Sequence, residues 1–179
     1  SDLGIASDPF FLAMEKGAKA AADKLGIDLV WQGSASEYSP QSQLPFVEAA
    51  LADDIDALIL VPTDPDGLQP SVARAEAAGI SRSHIVIDPG IGFGKTQAHN
   101  LAILRRISLF HGLGCAVLLG VSRKRFIGSI GNAPDATGRF AGTLAVTLAG
   151  IAQGIQIHRV HDVAQTRQGI ALWRAVTRR

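Results

Sequence analysis

Three short motifs in the second half of the chain combine a carboxylate with several cationic side chains. They are DPGIGFGK at residues 88–95, SRK at residues 122–124 and RVHD at residues 159–162. Lysine and arginine groups bind anions such as phosphates, and alternation along a strand would place Arg159 and His161 on the same side. The two could therefore bind one anion. Each motif also has a structural interpretation, because Asp88 could cap a turn, the SRK run could be a solvated loop and His161 could end a strand.

The segment Gly94-Lys95-Thr96 resembles the end of a phosphate-binding P-loop. That pattern requires glycine five positions before Gly94, where this chain has Pro89. Proline lacks the backbone N–H that such a loop uses to bind phosphate. We therefore do not expect a nucleoside triphosphate site at this loop.

The first two motifs follow predicted strands, and the third spans the end of the last predicted strand. Apolar, β-branched runs alternate with amphipathic helical patterns and predict six strands: Leu3–Ala6, Asp28–Gln32, Ala57–Val61, His84–Ile87, Ala116–Gly120 and Gln156–Val160. The helical patterns run over residues 11–25, 41–51, 69–78, 98–110, 140–152 and 163–176. We expect an α/β fold, a doubly wound (flavodoxin-like) parallel sheet of order 2-1-3-4-5-6 with helices on both faces. A barrel-like arrangement is the alternative, and in both folds the loops after the strands lie at one end.

The composition excludes several partners. The 179 residues include 17 basic and 16 acidic side chains, so the net charge of +1 favours neither nucleic acid nor an anionic membrane. One cysteine, Cys115, excludes an internal disulfide, and no apolar run is long enough to span a bilayer. Because no export leader is evident, we expect a cytoplasmic protein.

Taken together and in this order, the three motifs resemble dihydropteroate synthase. The resemblance extends from near Ile80 to the end of the chain. It implies that Asp88 and Lys124 bind a pterin ring and that Ser122 helps to hold p-aminobenzoate. It further implies that Arg159 and His161 hold the pyrophosphate leaving group. We find no counterparts of the family's earlier aspartate and asparagine or of its first substrate loops, which predicts poor catalysis.

The first half resembles a different family. The segments SDPFF at residues 7–11 and LVPTDPD at residues 60–66 are similar to the opening of a ribose-type periplasmic sugar-binding protein. The resemblance implies that Asp8, Phe10, Phe11 and Asp64 contact a sugar. Aromatic residues that open a helix more often pack against a core, which is the alternative for both phenylalanines.

These observations predict a single domain built of two fragments, residues 1–79 and 80–179. We expect an engineered chimeric scaffold with no evolved activity, no cofactor, no metal site and a remaining half-site for phosphate, pyrophosphate or pterin. The alternatives are dihydropteroate synthase activity and weak binding of a sugar or another small molecule. Apolar residues near the C-terminus, namely Ile157, Leu172 and Trp173, also predict a possible homodimer.

Overall fold

The computed structural model describes residues 9–33, 39–53, 55–61 and 68–177. The chain divides into two compact units, residues 1–80 and 81–179, and the boundary lies one residue after the predicted junction. That the two fragments form a single domain stays a prediction.

The described residues of unit 1 form three helices, which confirm the helical patterns of the first half. They are α1 (Pro9–Leu25), α2 (Pro40–Ala52) and α3 (Leu68–Ala77). Helix α2 begins at a capping box, in which the Ser39 hydroxyl accepts from the backbone N–H of Ser42 at 3.1 Å and the Ser42 hydroxyl accepts in return. Ala22, Val47 and Val72 are buried, one from each helix.

Two of the predicted strands in unit 1 are wrong. Residues 28–32 and 57–61 are not in a strand, and some of their apolar side chains are exposed, among them Val30 (61%) and Ile59 (76%). A β-branched run becomes a strand only where a neighbour completes its backbone ladder, so composition alone does not define one. The first predicted strand, Leu3–Ala6, lies outside the described residues.

Unit 2 contains a parallel three-stranded sheet in the order β1-β2-β3. The strands are β1 (Val86–Ile87), β2 (Ala116–Leu119) and β3 (Ile157–His158), each inside a predicted strand. Ile87 pairs with Val117, and Leu119 pairs with His158. The described residues therefore show an α/β fold with a parallel sheet of three strands rather than six.

Helical segments connect and follow these strands. They are α4 (Gln97–Arg105), α5 (Arg125–Ile130), α6 (Phe140–Ala152) and α7 (Val163–Thr177). The pattern over residues 98–110 is divided, because α4 ends at Arg105 and a 3₁₀ helix follows over Ile107–Leu113. Two further 3₁₀ turns cover Arg82–His84 and Ala136–Arg139. Helix α5, six residues long, was not among the predicted helices.

Helix α6 packs closely on the central strand. Val117 and Leu119 of β2 are fully buried, and so are Thr143 and Thr147 of α6. A Cβ atom at Gly150 would lie only 2.8 Å from Leu119 Cδ2, so glycine permits this close approach. No helix in the described part of the chain is both long and apolar enough to cross a membrane.

Candidate functional site

The carboxyl ends of the three strands bring Asp88, Gly120 and Arg159 together. Asp88 directly follows β1, Gly120 follows β2 and Arg159 follows β3. A Cβ atom built on Gly120 would lie 3.7 Å from Asp88 Oδ2 and 3.8 Å from Arg159 Nε. The carboxylate and the guanidinium therefore both lie close to Gly120, where the lack of a side chain leaves room beside them. Parallel strands place their ligand-binding loops at this end of a sheet.

A glycine-rich loop, residues 88–96, holds Asp88 in place. Asp88 Oδ1 accepts a hydrogen bond from the backbone N–H of Gly90 at 2.8 Å. Gly90 and Gly92 both have positive φ angles, +65° and +81°, which favour glycine. The Asn100 side chain, only 4% exposed, accepts from the Gly92 N–H at 2.7 Å and donates to the Thr96 carbonyl at 2.9 Å.

Lys95 belongs to the same loop, and its ammonium group is used within it. Nζ donates to the carbonyls of Gly90 and Phe93 at 3.0 and 3.2 Å. These bonds tie the lysine to its own backbone instead of directing it at a phosphate cradle. The loop therefore does not have the arrangement of a P-loop, in agreement with the sequence.

Lys124 lies against the glycine-rich loop. Its Nζ is 3.5 Å from the centroid of the Phe93 ring, and a Cβ at Gly92 would be 2.8 Å from its Cδ. Burial lowers the pKa of Lys124, the nearby charges of Arg159 and Lys95 lower it further, and the carboxylate of Asp88 opposes them. The site thus holds several cations around one carboxylate, which suits a ligand with an anionic group.

Ser122 and His161 are in direct contact. The Ser122 hydroxyl accepts from the backbone N–H of His161 at 3.2 Å and lies 2.8 Å from His161 Nδ1. Ser122 is 8% exposed, and His161 is exposed. Strand β3 ends at His158, so the predicted alternation does not extend to His161. Arg159 instead lies beside Asp88, and His161 is held at Ser122.

Sequence reasoning missed residues that support this site. Asn100 holds the glycine-rich loop, and Asp162 accepts a two-pronged bond from Arg123 at 2.7 and 3.3 Å. Arg139 donates to the carbonyl of Arg123 at 2.9 Å, and Thr143 accepts from the Arg123 N–H at 3.0 Å. Arg123 and Asp162 were visible as members of the motifs. Asn100, Arg139 and Thr143 carry no local signal, because their roles depend on contacts across the fold.

Most of the residues predicted to contact a sugar lie outside the described residues. Asp8 and Asp64 lie outside the described residues, and so does the side chain of Phe10, although its backbone belongs to α1. Phe11 is half-buried on α1. A role of these residues in sugar binding stays a prediction.

Two family models match the chain. The model described as pterin binding enzyme matches residues 66–161, a little over half of the chain. The chain belongs to the pterin binding enzyme family. The match contains Asp88, Lys124, Arg159 and His161. The model described as periplasmic binding protein domain matches residues 3–87, so the two matches overlap over residues 66–87.

Several named proteins and solved structures are similar to this chain. The dihydropteroate synthase of Bacillus subtilis (strain 168) is 46% identical over 106 residues, which are 59% of this chain and 37% of the relative. The structure of the Xanthomonas albilineans enzyme in complex with 7,8-dihydropteroate matches with a TM-score of 0.61 at 34% identity, covering 74% of this chain and 47% of that one. The Thermus thermophilus enzyme in complex with 6HMPPP matches with a TM-score of 0.59 at 36% identity, covering 73% and 47%. The chain spans between 33% and 39% of the length of the first curated relatives.

These comparisons correct one expectation. The prediction of an engineered scaffold without evolved activity is wrong, because the matched relatives, at 41–46% identity, are dihydropteroate synthases. The structural neighbours are dihydropteroate synthases as well. Both findings favour the alternative, dihydropteroate synthase activity.

Proposed function

We propose that the chain acts in dihydropteroate synthesis, in which a pterin pyrophosphate condenses with p-aminobenzoate. The observation that carries the proposal is that Asp88 and Arg159 meet at Gly120, with the Lys124 ammonium close enough for its pKa to respond to both charges. The three residues come from the three motifs that resemble this family. The structural match to the complex with 6HMPPP supports the same ligand class.

The proposed reaction requires little acid–base chemistry from the protein. The amine nitrogen of p-aminobenzoate forms a bond to the pterin methylene carbon, and the carbon–oxygen bond to pyrophosphate breaks. The electron pair leaves with the pyrophosphate, and the amine proton passes to solvent. Negative charge therefore develops on the leaving group, where fixed cations stabilise it most.

Each motif residue has a proposed role in that reaction. The carboxylate of Asp88 accepts hydrogen bonds from the pterin ring, and Lys124 contacts the same ring beside Phe93. Arg159 and His161 hold the pyrophosphate. A contact between Ser122 and p-aminobenzoate stays a prediction, since the Ser122 hydroxyl is engaged by His161.

A turnover assay tests this proposal. The chain is incubated with pterin pyrophosphate and p-aminobenzoate, and dihydropteroate is measured by chromatography. We expect product above the uncatalysed background, and a loss of about a hundredfold or more in Asp88→Asn and in Arg159→Gln. Arg174→Gln, an exposed position on α7, is the matched control and should leave the rate unchanged. A wild-type rate equal to background, or equal rates in all variants, would contradict the proposal.

We also propose that the chain joins segments of two families, with β1 to β3 as consecutive units of a barrel-like arrangement. Support comes from the two family models and from TM-scores of 0.57–0.61 to dihydropteroate synthases.

We further propose that the chain forms a homodimer. The exposed side chains of Ile157 and Leu172 support this proposal, and a monomeric mass in light scattering would contradict it.

A further inference from the structure

The loops that follow β2 and β3 are joined by two adjacent pairs of contacts. Ser122 contacts both the backbone N–H and Nδ1 of His161, at 3.2 and 2.8 Å. The next residue, Arg123, donates to both carboxylate oxygens of Asp162, at 2.7 and 3.3 Å. Two consecutive residues of one loop therefore contact two consecutive residues of the other. Such paired contacts fix the position and the rotation of the loop that carries His161.

The backbone of Arg123 is itself held in an uncommon conformation. Its φ angle is +60°, in the left-handed region that residues other than glycine rarely adopt. Three groups hold it there: its N–H donates to the fully buried Thr143, its carbonyl accepts from Arg139, and its guanidinium pairs with Asp162. Strained residues persist where the surroundings over-determine them, often at functional sites. The turn directs Ser122 at His161 and Lys124 at the glycine-rich loop.

The contacts of Ser122 are compatible with the tautomer of His161 that is protonated on Nε2. A hydroxyl group has one hydrogen to donate and two lone pairs that accept. The Ser122 oxygen accepts the backbone N–H of His161, and its own hydrogen can be donated to Nδ1. The neutral ring then carries its proton on Nε2, the nitrogen that does not contact Ser122.

We propose that Ser122 and the Arg123–Asp162 pair are positioning residues for His161, holding its ring so that Nε2–H is presented to the anionic part of the substrate. The anchoring continues into α7, because the carbonyl of Asp162 accepts from the Thr166 N–H at 3.0 Å. Arg123 and Asp162 form an ion pair with each other across the two loops. The identity of the anion rests on the proposed function, whereas the geometry of His161 does not.

The first test uses ¹⁵N NMR of the His161 ring in the ligand-free chain. In Ser122→Ala, we expect the Nδ1 resonance of His161 to lose the signature of a hydrogen-bonded, unprotonated nitrogen. Ser122→Thr retains the hydroxyl and should restore it. Asp162→Asn should broaden or shift the same resonance because the loop loses its ion pair. A His161 spectrum unchanged in Ser122→Ala would overturn the proposal, whatever the chain binds.

The second test measures the affinity for inorganic pyrophosphate by calorimetry. We expect Ser122→Ala to weaken binding by roughly tenfold to a hundredfold, as misplacement of a contacting group does. Adding Ser122→Ala to His161→Ala should cause no further loss, because Ser122 acts through His161. Additive losses would show that Ser122 acts on the ligand directly and would overturn the proposal. If the wild-type chain does not bind pyrophosphate, the anion assigned under the proposed function fails, and the NMR result alone decides the positioning role.

Discussion

Lys124 is the residue in which the electrostatics of the site are most evident. Its ammonium lies over the Phe93 ring and close to both Arg159 and Asp88, and burial lowers its pKa. A lysine in these surroundings loses its proton at a lower pH than an exposed lysine does. Bound pyrophosphate would favour the charged form, so protonation of Lys124 and anion binding should be coupled.

This coupling predicts the alkaline limit of pyrophosphate binding. Affinity should fall as the pH rises through the lowered pKa of Lys124, at a lower pH than an ordinary lysine would produce. Asp88→Asn removes the charge that raises this pKa and should move the fall to lower pH. Arg159→Gln removes a charge that lowers it and should move the fall to higher pH. Calorimetric titrations at increasing pH measure the midpoint of the fall in affinity for each variant. Midpoints that shift in the same direction, or do not shift, would contradict this account.

Side chains introduced at Gly120 should affect ligand binding at the same site according to their size. A Cβ there meets Asp88 and Arg159 at ordinary contact distances of 3.7 and 3.8 Å, so Gly120→Ala should retain binding of pterin pyrophosphate. The longer side chain of Gly120→Leu would enter the space between the two groups and should reduce affinity by roughly a hundredfold, as loss of the bound geometry does. Equal affinities for the two variants would show that the ligand does not occupy this space.

At the scale of elements, α4 and the glycine-rich loop depend on Asn100. Its amide satisfies the Gly92 N–H and the Thr96 carbonyl in a buried position. Asn100→Ala should lower the free energy of unfolding by about 1–3 kcal/mol, because two part-buried side-chain hydrogen bonds are lost, each worth about 0.5–1.5 kcal/mol. Asn100→Asp keeps an acceptor for Gly92 but buries a charge and places a carboxylate oxygen against the Thr96 carbonyl, so at neutral pH it should not restore the stability. Urea unfolding compares the variants, and an unchanged stability in Asn100→Ala would contradict this role.

His158 of strand β3 lies against helix α6, and this packing predicts that the free energy of unfolding falls in acid. A Cβ at Gly150 of α6 would lie 3.1 Å from the His158 ring, and burial lowers the pKa of this histidine. The unfolded chain then binds a proton more readily than the folded chain, so stability is lost as the pH falls below about 6.5. Urea unfolding measures the free energy of unfolding at about pH 7.5 and about pH 5.5, each roughly one unit from the ordinary histidine pKa. The difference between the two free energies should be smaller in His158→Gln than in the wild type. An equal difference in both would exclude His158 as the cause.

Much of the element structure could be predicted, for definite physical reasons. Helices α1, α6 and α7 follow from apolar spacing over three or more turns, and β2 follows from its run of apolar residues. Residues 28–32 and 57–61 were wrongly predicted as strands because a strand depends on a neighbour, which composition does not reveal. Asp88, Lys124 and Arg159 could be predicted from local motifs, whereas Asn100 and Thr143 could not, because they act on backbone distant in sequence or in another element.

At the scale of the whole molecule, the chain contains two compact units that match two families. The pterin binding enzyme match reaches back to residue 66, beyond the unit boundary after Ile80. Asp88, Lys124 and Arg159 lie within unit 2, in the part of the chain that this family model covers. We therefore expect pterin recognition to depend on unit 2 residues, and exposed substitutions on α1 such as Lys16→Gln to leave pterin binding unchanged.

The most direct test of the central claim is a calorimetric titration of the chain with pterin pyrophosphate. The account predicts saturable binding at one site, weakened by roughly tenfold or more in Asp88→Asn because the carboxylate accepts from the pterin ring. The Arg174→Gln control should bind as the wild type does. Absence of saturable heat, or equal affinity in wild type and Asp88→Asn, would contradict the assignment of a pterin site to the strand ends of unit 2.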